Sequence, residues 1–434
     1  MKRLDFTKNT VIDIKNLLEE RSSSSYESYE KVVKEVLSHV RTKGDTALRR
    51  YTKDFDLVDI TAETIRVTKE EIVAAYELVD SNLIRVMKLA AQRIKDFHQK
   101  QLQKSWFDTD EFGSIMGQKI TPVDSVGVYV PGGKNAFPSS VLMNMMPAKV
   151  AGVKRIVMTT PPINGGNGQV EPVTLVAADI AGATEIYKVG GAQAIGALAY
   201  GTESIKPVTK IVGPGNIYVA LAKKAVYGYV GIDSIAGPSE ILVIADETGN
   251  PEYIAADLLS QAEHDELASS VFITTSGALA DQVELAIARQ TKTLSRKSII
   301  EASLENYGAI IVVETILDAV GISNQIAPEH LEICVANPFS VLPFITNAGA
   351  IFLGEYSPEP LGDYMAGPNH ILPTNATAKF FSPLSIDDFI KKSSIIAFNK
   401  AGLKNLSEDI MTFASAENLT AHANAIKVRF EGED

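Results

Sequence analysis

The chain contains a single cysteine, Cys334, among its 434 residues. One cysteine cannot form an intramolecular disulfide, and this low usage suits a reducing compartment. Cys334 lies between Ile333 and Val335, so apolar neighbours should raise the pKa of its thiol. A thiolate nucleophile is therefore disfavoured.

Positive charge and long apolar stretches are also scarce. The chain has 41 Lys and Arg against 53 Asp and Glu, a formal net charge of −12. Nucleic-acid binding needs a concentrated basic patch, so we expect no nucleic-acid partner. No run approaches the roughly 20 apolar residues of a membrane-spanning helix, and no apolar stretch follows Met1 as in a secretory signal. We expect a cytoplasmic protein without a membrane partner.

Short apolar runs alternate with glycine-rich turns and helical stretches between about residues 120 and 380. The predicted strands are 125–130, 155–159, 185–189, 210–212, 241–245, 271–274 and 310–313. The predicted helices between them include 141–152, 173–182, 192–200 and 216–227. This alternation predicts parallel α/β sheets, whose buried strands are continuous apolar runs. The segment is long enough for two such sheets in series.

We therefore predict an α/β fold with two Rossmann-like parallel-sheet domains in series, at residues 121–236 and 237–382. An N-terminal helical region, 1–120, should pack its second half on the catalytic domain. A small C-terminal helical tail, 383–434, could cross to a partner subunit.

Glycine clusters follow several predicted strands, at 131–133, 190–191 and 213–215. Ligands of open α/β sheets bind at the carboxyl ends of strands, where glycine lets backbone amides approach a phosphate. The G-x-G-x-x-G fingerprint is absent, because glycines 190, 191 and 196 have the wrong spacing. A nucleotide site and plain turns both remain open from these clusters alone.

Four of the six histidines lie in polar motifs within the last two-fifths of the chain: His264, His330, His370 and His422. Imidazole suits both metal ligation and proton transfer near neutral pH. Gln261 and His264 are three residues apart and would share one helix face. With Asp363 and His422 they could hold Zn²⁺ or a neighbouring first-row ion. No compact His-x-x-x-His or Cys-x-x-Cys spacing occurs, so dispersed structural histidines remain the alternative.

Two adjacent Glu-His pairs occur, Glu263 with His264 and Glu329 with His330. A neighbouring carboxylate and imidazole could serve two different deprotonations. Pro328 disfavours helix at the residue before it, so we expect the second pair where a helix begins. The alternative is a glutamate stabilised by the helix dipole beside a surface histidine.

Together these motifs resemble the histidinol dehydrogenase family. The resemblance spans about residues 30–430 and is carried by VYVPGG (128–133), GGAQAI (190–195), GPGN (213–216), AGPSE (236–240), QAEHD (261–265), APEHLE (327–332) and GDY (362–364). It implies oxidation of L-histidinol to L-histidine through L-histidinal with two NAD⁺, the last step of histidine biosynthesis. It also implies a homodimer with one zinc per subunit and active sites shared between subunits.

The resemblance implies roles for individual residues, carried over motif by motif. The implied zinc ligands are Gln261, His264, Asp363 and His422, and the implied acid–base pair is Glu329 and His330. The implied NAD contacts are Tyr129, Gln193 and Asn216. Besides the zinc ligands and His330, the implied substrate contacts are Ser239, His370 and Glu417. The first sheet domain would thus be the NAD side, and the second would carry zinc and the acid–base pair.

Three residues depart from the family's usual pattern. Ala376 and Asn418 replace a common glycine, and Lys379 replaces a common arginine. None is an implied ligand or base, so the departures concern loop geometry rather than the reaction.

Two other function classes remain to be separated. A zinc hydrolase acting on a small amide would share the metal ligands and use Glu329 to activate water. It would leave the glycine-lined first half unexplained. In a non-enzymatic nucleotide-binding or scaffold protein, the histidines would be structural. NAD binding and histidinol turnover distinguish these classes.

Overall fold

The computed structural model describes residues 1–5, 26–132, 136–235 and 237–431. It divides into two compact units, Met1–Gln101 with Val123–Phe389, and Leu102–Pro122 with Ile390–Asp434. The first unit contains two parallel sheets, which confirms the predicted α/β class. The predicted bounds of the four regions stay predictions. Within the described ranges, no helix has both the length and the apolar character needed to cross a membrane.

The strands and helices alternate through most of the first unit. In chain order the strands are β1 (Lys2–Asp5), β2 (Trp106–Thr109), β3 (Ile115–Pro122), β4 (Ser125–Tyr129), β5 (Arg155–Thr159), β6 (Glu185–Tyr187), β7 (Lys210–Val212), β8 (Gly231–Ile232), β9 (Glu240–Ala245), β10 (Ser269–Thr274), β11 (Gly308–Val312), β12 (His330–Cys334), β13 (Ala350–Leu353) and β14 (Ile390–Ala397).

The helices begin with four in the N-terminal part of the first unit. In chain order they are α1 (Glu27–Lys43), α2 (Asp45–Asp56), α3 (Lys69–Leu78), α4 (Ser81–Gln99), α5 (Pro138–Ala151), α6 (Pro172–Ala181), α7 (Gly191–Tyr200), α8 (Ile217–Val226), α9 (Pro251–Ala262), α10 (Gly277–Gln290), α11 (Lys297–Tyr307), α12 (Ile316–Ile326), α13 (Pro338–Val341), α14 (Glu359–Tyr364), α15 (Lys400–Ala416) and α16 (Thr420–Lys427). Short 3₁₀ helices are Thr291–Thr293, Leu342–Phe344, Thr377–Lys379 and Ile386–Phe389.

The first sheet has the strand order β6-β5-β4-β7-β8, and all its pairings are parallel. The chain moves from β4 outward to β6, then returns to add β7 and β8 on the other side. The order therefore reverses between β4 and β7. Such a reversal leaves a crevice at the carboxyl ends of the strands, the usual ligand position in open parallel sheets. Tyr129 ends β4 at this crevice, and residues 213–216 follow β7.

The second sheet has the order β1-β11-β10-β9-β12-β13 and is also parallel throughout. Its order reverses between β9 and β12. Strand β1 was not predicted, because Lys2, Arg3 and Asp5 make the segment polar. It occupies an edge, where Leu4 is the residue packed against a core cluster.

Each sheet is covered by apolar residues on both faces. On β9, Ile241 and Val243 belong to one core cluster, and Leu242 and Ile244 belong to another. Alternate side chains of a strand point to opposite faces, so burial on both sides requires a continuous apolar run. This explains why the central strands could be recognised from sequence.

The second unit contains an antiparallel sheet with the order β14-β3-β2, followed in the chain by α15 and α16. The extended piece and helices predicted after residue 383 correspond to β14, α15 and α16. The sheet itself was not predicted. Its strands β2 and β3 are largely solvent-accessible, so they lack the buried apolar runs by which the other strands were recognised.

Two of the three departures from the family's pattern have left-handed backbone. Ala376 has a φ of 60° and Asn418 a φ of 61°. Asparagine tolerates this region better than most residues, whereas for an alanine it costs roughly 1–2 kcal/mol. The alanine therefore introduces strain just before the 3₁₀ helix Thr377–Lys379.

Ala376→Gly should stabilise the protein, because glycine adopts a positive φ without a Cβ clash. We expect the free energy of unfolding to rise by about 1 kcal/mol, measured from the urea midpoint. The matched control is Ala378→Gly, inside the 3₁₀ helix, which should lower it. Equal destabilisation by both substitutions would contradict the proposed strain.

Candidate active site

Glu329 and His330 lie at the amino edge of the second sheet. His330 is the first residue of β12, so the expectation that a helix begins at this pair is wrong. Helix α12 ends at Ile326, and Ala327 turns the chain with a φ of 54°. The following residues pair with both β9 and β13. Burial of this strand on both faces outweighs the local proline signal.

His330 is buried, and its two ring nitrogens have different surroundings. Nδ1 is 3.0 Å from the main-chain oxygen of Glu240. A carbonyl oxygen can only accept, so Nδ1 carries the hydrogen and Nε2 keeps its lone pair. Burial lowers the pKa of His330 to about 4, which keeps the ring neutral near pH 7. Nε2 is therefore available to accept a proton.

The Glu329 carboxyl group is also buried, beside the histidine. Its Oε2 accepts a hydrogen bond of 2.9 Å from the backbone N–H of Glu240 and lies 3.6 Å from His330 Nδ1. Burial raises the pKa of Glu329 well above its usual value, and the charges of Glu240, Asp363 and Glu359 raise it further. The carboxylate form is consequently a stronger base than that of an exposed glutamate.

Gln261 and His264 lie at the carboxyl end of α9. Gln261 is in the last turn, whereas His264 lies beyond the helix, with its N–H donating to Gln261 O over 3.2 Å. The prediction that Gln261 and His264 share a helix face is therefore wrong, because only Gln261 lies in the helix. Gln261 is 1% exposed, and neither polar atom of its amide finds a hydrogen-bond partner among the described residues.

His264, Glu359 and Asp363 form a group whose potential ligand atoms all lie within 4.8 Å of one another. Glu359 and Asp363 are four residues apart on α14, so they share one face of that helix. His370 Nδ1 lies 3.4 Å from Asp363 Oδ1. Burial would raise the pKa of Asp363, but the hydrogen bond and charge of His370 outweigh it and lower that pKa.

Glu359 was missed in the sequence. It is 2% exposed, and its Oε1 lies 3.8 Å from His330 Nε2 without a hydrogen bond. Burial raises its pKa to about 8. The sequence did place Glu359 four residues before Asp363, about one helical turn away. This spacing alone does not show which face of the helix meets the site.

The donor set fits a zinc ion. Imidazole nitrogen with carboxylate and amide oxygens is a combination that binds zinc and neighbouring first-row metals. The buried oxygens Gln261 Oε1 and Glu359 Oε1 lack partners among the described residues. An unsatisfied buried polar atom costs roughly 1–3 kcal/mol, so a cation would relieve a cost already present.

A cavity of about 1270 Å³ opens beside these groups. His330, Asp363 and His370 line one part, and residues Ile232 to Ile235, at the β8 edge of the first sheet, line another. The cavity is thus bounded by both sheets.

Three other residues singled out in the sequence, Ser239, Glu417 and His422, belong to other segments of the chain. Ser239 immediately precedes β9, where its main-chain oxygen accepts a 3.0 Å hydrogen bond from Ser269 N. Glu417 and His422 belong to the second unit. Glu417 follows α15, His422 lies in α16, and both are exposed.

Tyr129 occupies the crevice at the carboxyl edge of the first sheet. Its Oη accepts a hydrogen bond of 3.1 Å from Gly191 N, which leaves the hydroxyl hydrogen free to donate. Burial raises the pKa of Tyr129 to about 12, so the phenol keeps its proton. Gly213 has a φ of 116°, and a Cβ there would lie 2.1 Å from Tyr129 O. Only glycine allows this close approach.

Gln193 lies in the helix that follows β6, and Asn216 immediately precedes the helix that follows β7. Gln193 is 1% exposed, and its Oε1 has no hydrogen-bond partner among the described residues. Asn216 is exposed and caps α8, with its Oδ1 accepting from Tyr218 N and Val219 N. The carboxyl-edge crevice therefore offers the Tyr129 hydroxyl and an unpartnered amide oxygen.

Two buried acids lie among the elements that carry the candidate metal ligands. Glu332 Oε1 accepts a 2.7 Å hydrogen bond from Glu359 N, which joins β12 to α14. Burial raises the pKa of Asp257, on α9, to about 6 and also raises that of Glu332. The charge of Asp257 raises the pKa of Glu332 further.

Asp257→Asn should change how stability depends on pH. The folded pKa of Asp257 exceeds the unfolded value near 3.8, so its stabilising contribution is complete below that value and is lost as pH rises through about 6. The stability of the variant relative to wild type should therefore increase from pH 4 to pH 7, on the order of 2 kcal/mol. Chemical unfolding at each pH measures this. The exposed control Asp54→Asn should show no such trend, and a flat difference for Asp257→Asn would contradict a pKa of Asp257 raised by burial.

Comparison with known proteins agrees with this arrangement. The family model described as "Histidinol dehydrogenase" matches residues 19–430. A histidinol dehydrogenase of Clostridium acetobutylicum is 57% identical over 414 residues, 95% of each chain, and that of Caldanaerobacter subterraneus is 55% identical over 426 residues, 98% of each. A crystal structure of histidinol dehydrogenase from Elizabethkingia anophelis superimposes with a TM-score of 0.94 at 40% identity, covering 99% of this chain and 98% of that one. A match this close along almost the whole length means that the chain belongs to the histidinol dehydrogenase family of oxidoreductases of histidine biosynthesis.

Proposed function

We propose that the protein oxidises L-histidinol to L-histidine through L-histidinal, using two NAD⁺. The observation that carries this proposal is the neutral, buried His330, whose free Nε2 lies beside the candidate metal ligands at a cavity bounded by both sheets. Family membership gives no support to the alternative of a zinc hydrolase acting on a small amide.

Gln261, His264, Asp363 and His422 would hold one zinc ion per subunit. When bound, zinc would supply a Lewis acid that grips the imidazole and amine nitrogens of the substrate and favours the ionised form of nearby carboxyl groups. The unpartnered amide of Gln261 supports its place in this set.

His330 would act as the general base in both oxidations. Its Nε2 accepts the hydroxyl proton while the carbon-bound hydrogen leaves as hydride to the nicotinamide. Each such step releases one proton and forms one NADH. The charge of Asp363 raises the pKa of His330 against the effect of burial, so it would stabilise the imidazolium that forms.

Glu329 would activate the water that adds to the aldehyde between the two oxidations. The buried carboxylate takes a proton from water as the oxygen attacks the carbonyl carbon, and return of that proton to the former carbonyl oxygen gives the hydrated aldehyde. Its hydrogen bond from Glu240 N holds the carboxylate in place. Ser239, His370 and Glu417 would contact the substrate, and Tyr129, Gln193 and Asn216 would contact NAD.

The active site would be shared between two copies of the chain in a homodimer. Glu417 and His422 are exposed on the second unit, while the other proposed ligands belong to the first. In this proposal, His422 of one copy completes the zinc-ligand set formed by Gln261, His264 and Asp363 of the other copy. We also infer that the protein works in the cytoplasm, where both substrates of the pathway step are available.

The overall reaction is tested by supplying L-histidinol and NAD⁺ and counting NADH. We expect two NADH for each histidinol consumed. His330→Asn should lower kcat roughly 100- to 10,000-fold, because it removes the general base. Glu329→Gln should slow the complete reaction more than its first half, measured as the single-turnover burst of NADH.

Matched controls are Glu263→Gln, the carboxylate of the other Glu-His pair, and His39→Asn, a histidine on α1. Both should retain activity. One NADH per histidinol would indicate an ordinary alcohol dehydrogenase, and an unchanged kcat in His330→Asn would remove this residue from the role of base.

A mixed-subunit experiment tests the shared site. His264→Asn and His422→Asn should each lose zinc binding, measured by equilibrium dialysis, and activity. A heterodimer purified through a different affinity tag on each subunit should regain about half of the wild-type activity, because one of its two sites combines two intact halves. If all ligands came from one chain, both sites would carry a defect and the heterodimer would stay inactive.

A further inference from the structure

The crevice of the first sheet has no acidic residue at the usual ribose-reading position. In sheets that bind dinucleotides, an acidic side chain beyond the second strand accepts hydrogen bonds from the adenosine ribose. The second strand here is β5, and residues 160–170 after it contain no Asp or Glu. The next acid, Glu171, immediately precedes helix α6.

A carboxylate from outside the sheet lies against this loop. Asp56 is the last residue of α2, and its main-chain oxygen accepts a 2.9 Å hydrogen bond from Gly165 N. A Cβ on Gly168 would lie 3.5 Å from Val58 Cγ1. Leu57 turns the chain between them with a φ of 56°. The backbone thus fixes Asp56 beside the loop that follows β5, without using its side chain.

The Asp56 carboxylate has an oxygen in need of a partner. Its Oδ2 is buried, and no described residue donates a hydrogen bond to it. The nearest cations along the chain have other partners, since Lys53 and Arg49 pair with Asp59 and Arg50 pairs with Asp54. Burial raises the pKa of Asp56 to about 6, and the charge of Asp56 helps to raise that of Tyr129. The carboxylate therefore acts electrostatically on the hydroxyl at the centre of the crevice.

We propose that Asp56 accepts a hydrogen bond from an adenosine ribose hydroxyl and thereby selects NAD⁺ over NADP⁺. This rests on the proposed function, in which the crevice binds NAD. A ribose hydroxyl supplies the donor that Oδ2 lacks. The 2′-phosphate of NADP⁺ would instead bring negative charge against a half-buried carboxylate that pairs with no described cation. Discrimination of this kind comes from repulsion as much as from attraction.

The alternative is a purely structural Asp56. A buried, unpartnered carboxylate lowers stability, so a structural role would require a compensating contact. The described residues provide none to Oδ2, and the loop contact uses the main chain. The Oδ2 of Asp56 is therefore a hydrogen-bond acceptor that no described residue uses.

Asp56→Asn tests the proposal, because the amide keeps the size of the side chain and removes its charge. The affinities of the wild type and the variant for NAD⁺, NADP⁺, AMP and 2′-AMP would be measured by titration calorimetry at pH 8. We expect wild type to prefer NAD⁺ by about 100-fold or more, and Asp56→Asn to reduce this preference at least about tenfold. The same change should appear in the AMP to 2′-AMP ratio. The variant should also have a higher urea midpoint, since it lacks the buried charge.

Two controls separate the outcomes. Asp54→Asn, exposed on the same helix, and Glu171→Gln, at the start of α6, should leave the nucleotide preference unchanged. A preference within twofold of wild type in Asp56→Asn, or a change caused by Glu171→Gln instead, overturns the assignment. If Asp56→Asn does not fold, Asp56→Ser replaces it, and we expect the same loss of preference for NAD⁺ over NADP⁺. If the wild type binds neither nucleotide, it is the proposed function that fails.

Discussion

Burial of carboxyl groups at the amino edge of the second sheet is the constraint on which the site depends. Glu240, Glu329, Glu332 and Glu359 are each at most 7% exposed. Charges taken out of water interact strongly at short distance, so each carboxyl must hold a proton or find a cation. Glu240 and Glu329 meet here because β9 and β12 are neighbours whose register places His330 opposite Ile241, and so Glu329 opposite Glu240. The topology of the sheet therefore creates the acidity of the site, while α9, the segment that follows it and α14 carry the candidate metal ligands.

The two sheets contribute opposite edges to the proposed reaction. Tyr129 and Gln193 lie at the carboxyl edge of the first sheet, the usual place for a nucleotide. His330 lies at the amino edge of the second, the less common place for a ligand. Parallel sheets in series can present such edges to a common cavity, and residues at the end of the first sheet and His330 both line one. Redox chemistry between two bound molecules needs this kind of arrangement, since hydride transfer requires reacting carbons about 3–3.5 Å apart.

Much of the fold was predictable from sequence, but the site was predictable only in part. Strands such as β5 and β9 are continuous apolar runs bounded by turns, so local pattern identifies them. Strand β12 was missed because Glu332 interrupts its apolar run, although that residue is buried and its Oε1 accepts a hydrogen bond from Glu359 N. Glu359 was missed because its contact is with His264, which lies about a hundred residues earlier in the chain. Contacts across such distances leave no local signal, so residue types could only make Asp363 and His422 candidates, and the motif resemblance then implied that they act together.

Asp233 and Asp56, two acids of the first half, show how partners distinguish structural from functional charge. Asp233 forms an ion pair with Lys223, itself 2% exposed, and accepts a 2.8 Å hydrogen bond from Gly213 N. Lys223 also donates to Gly213 O, so this pair holds the glycine loop against Tyr129. The ion pair with Lys223 compensates Asp233 Oδ1, and the hydrogen bond from Gly213 N satisfies Oδ2, so a ligand would add little to them. Asp56 Oδ2 is a buried oxygen with neither kind of partner among the described residues. A satisfied charge builds the crevice, whereas an unsatisfied one is available to the molecule that the crevice binds.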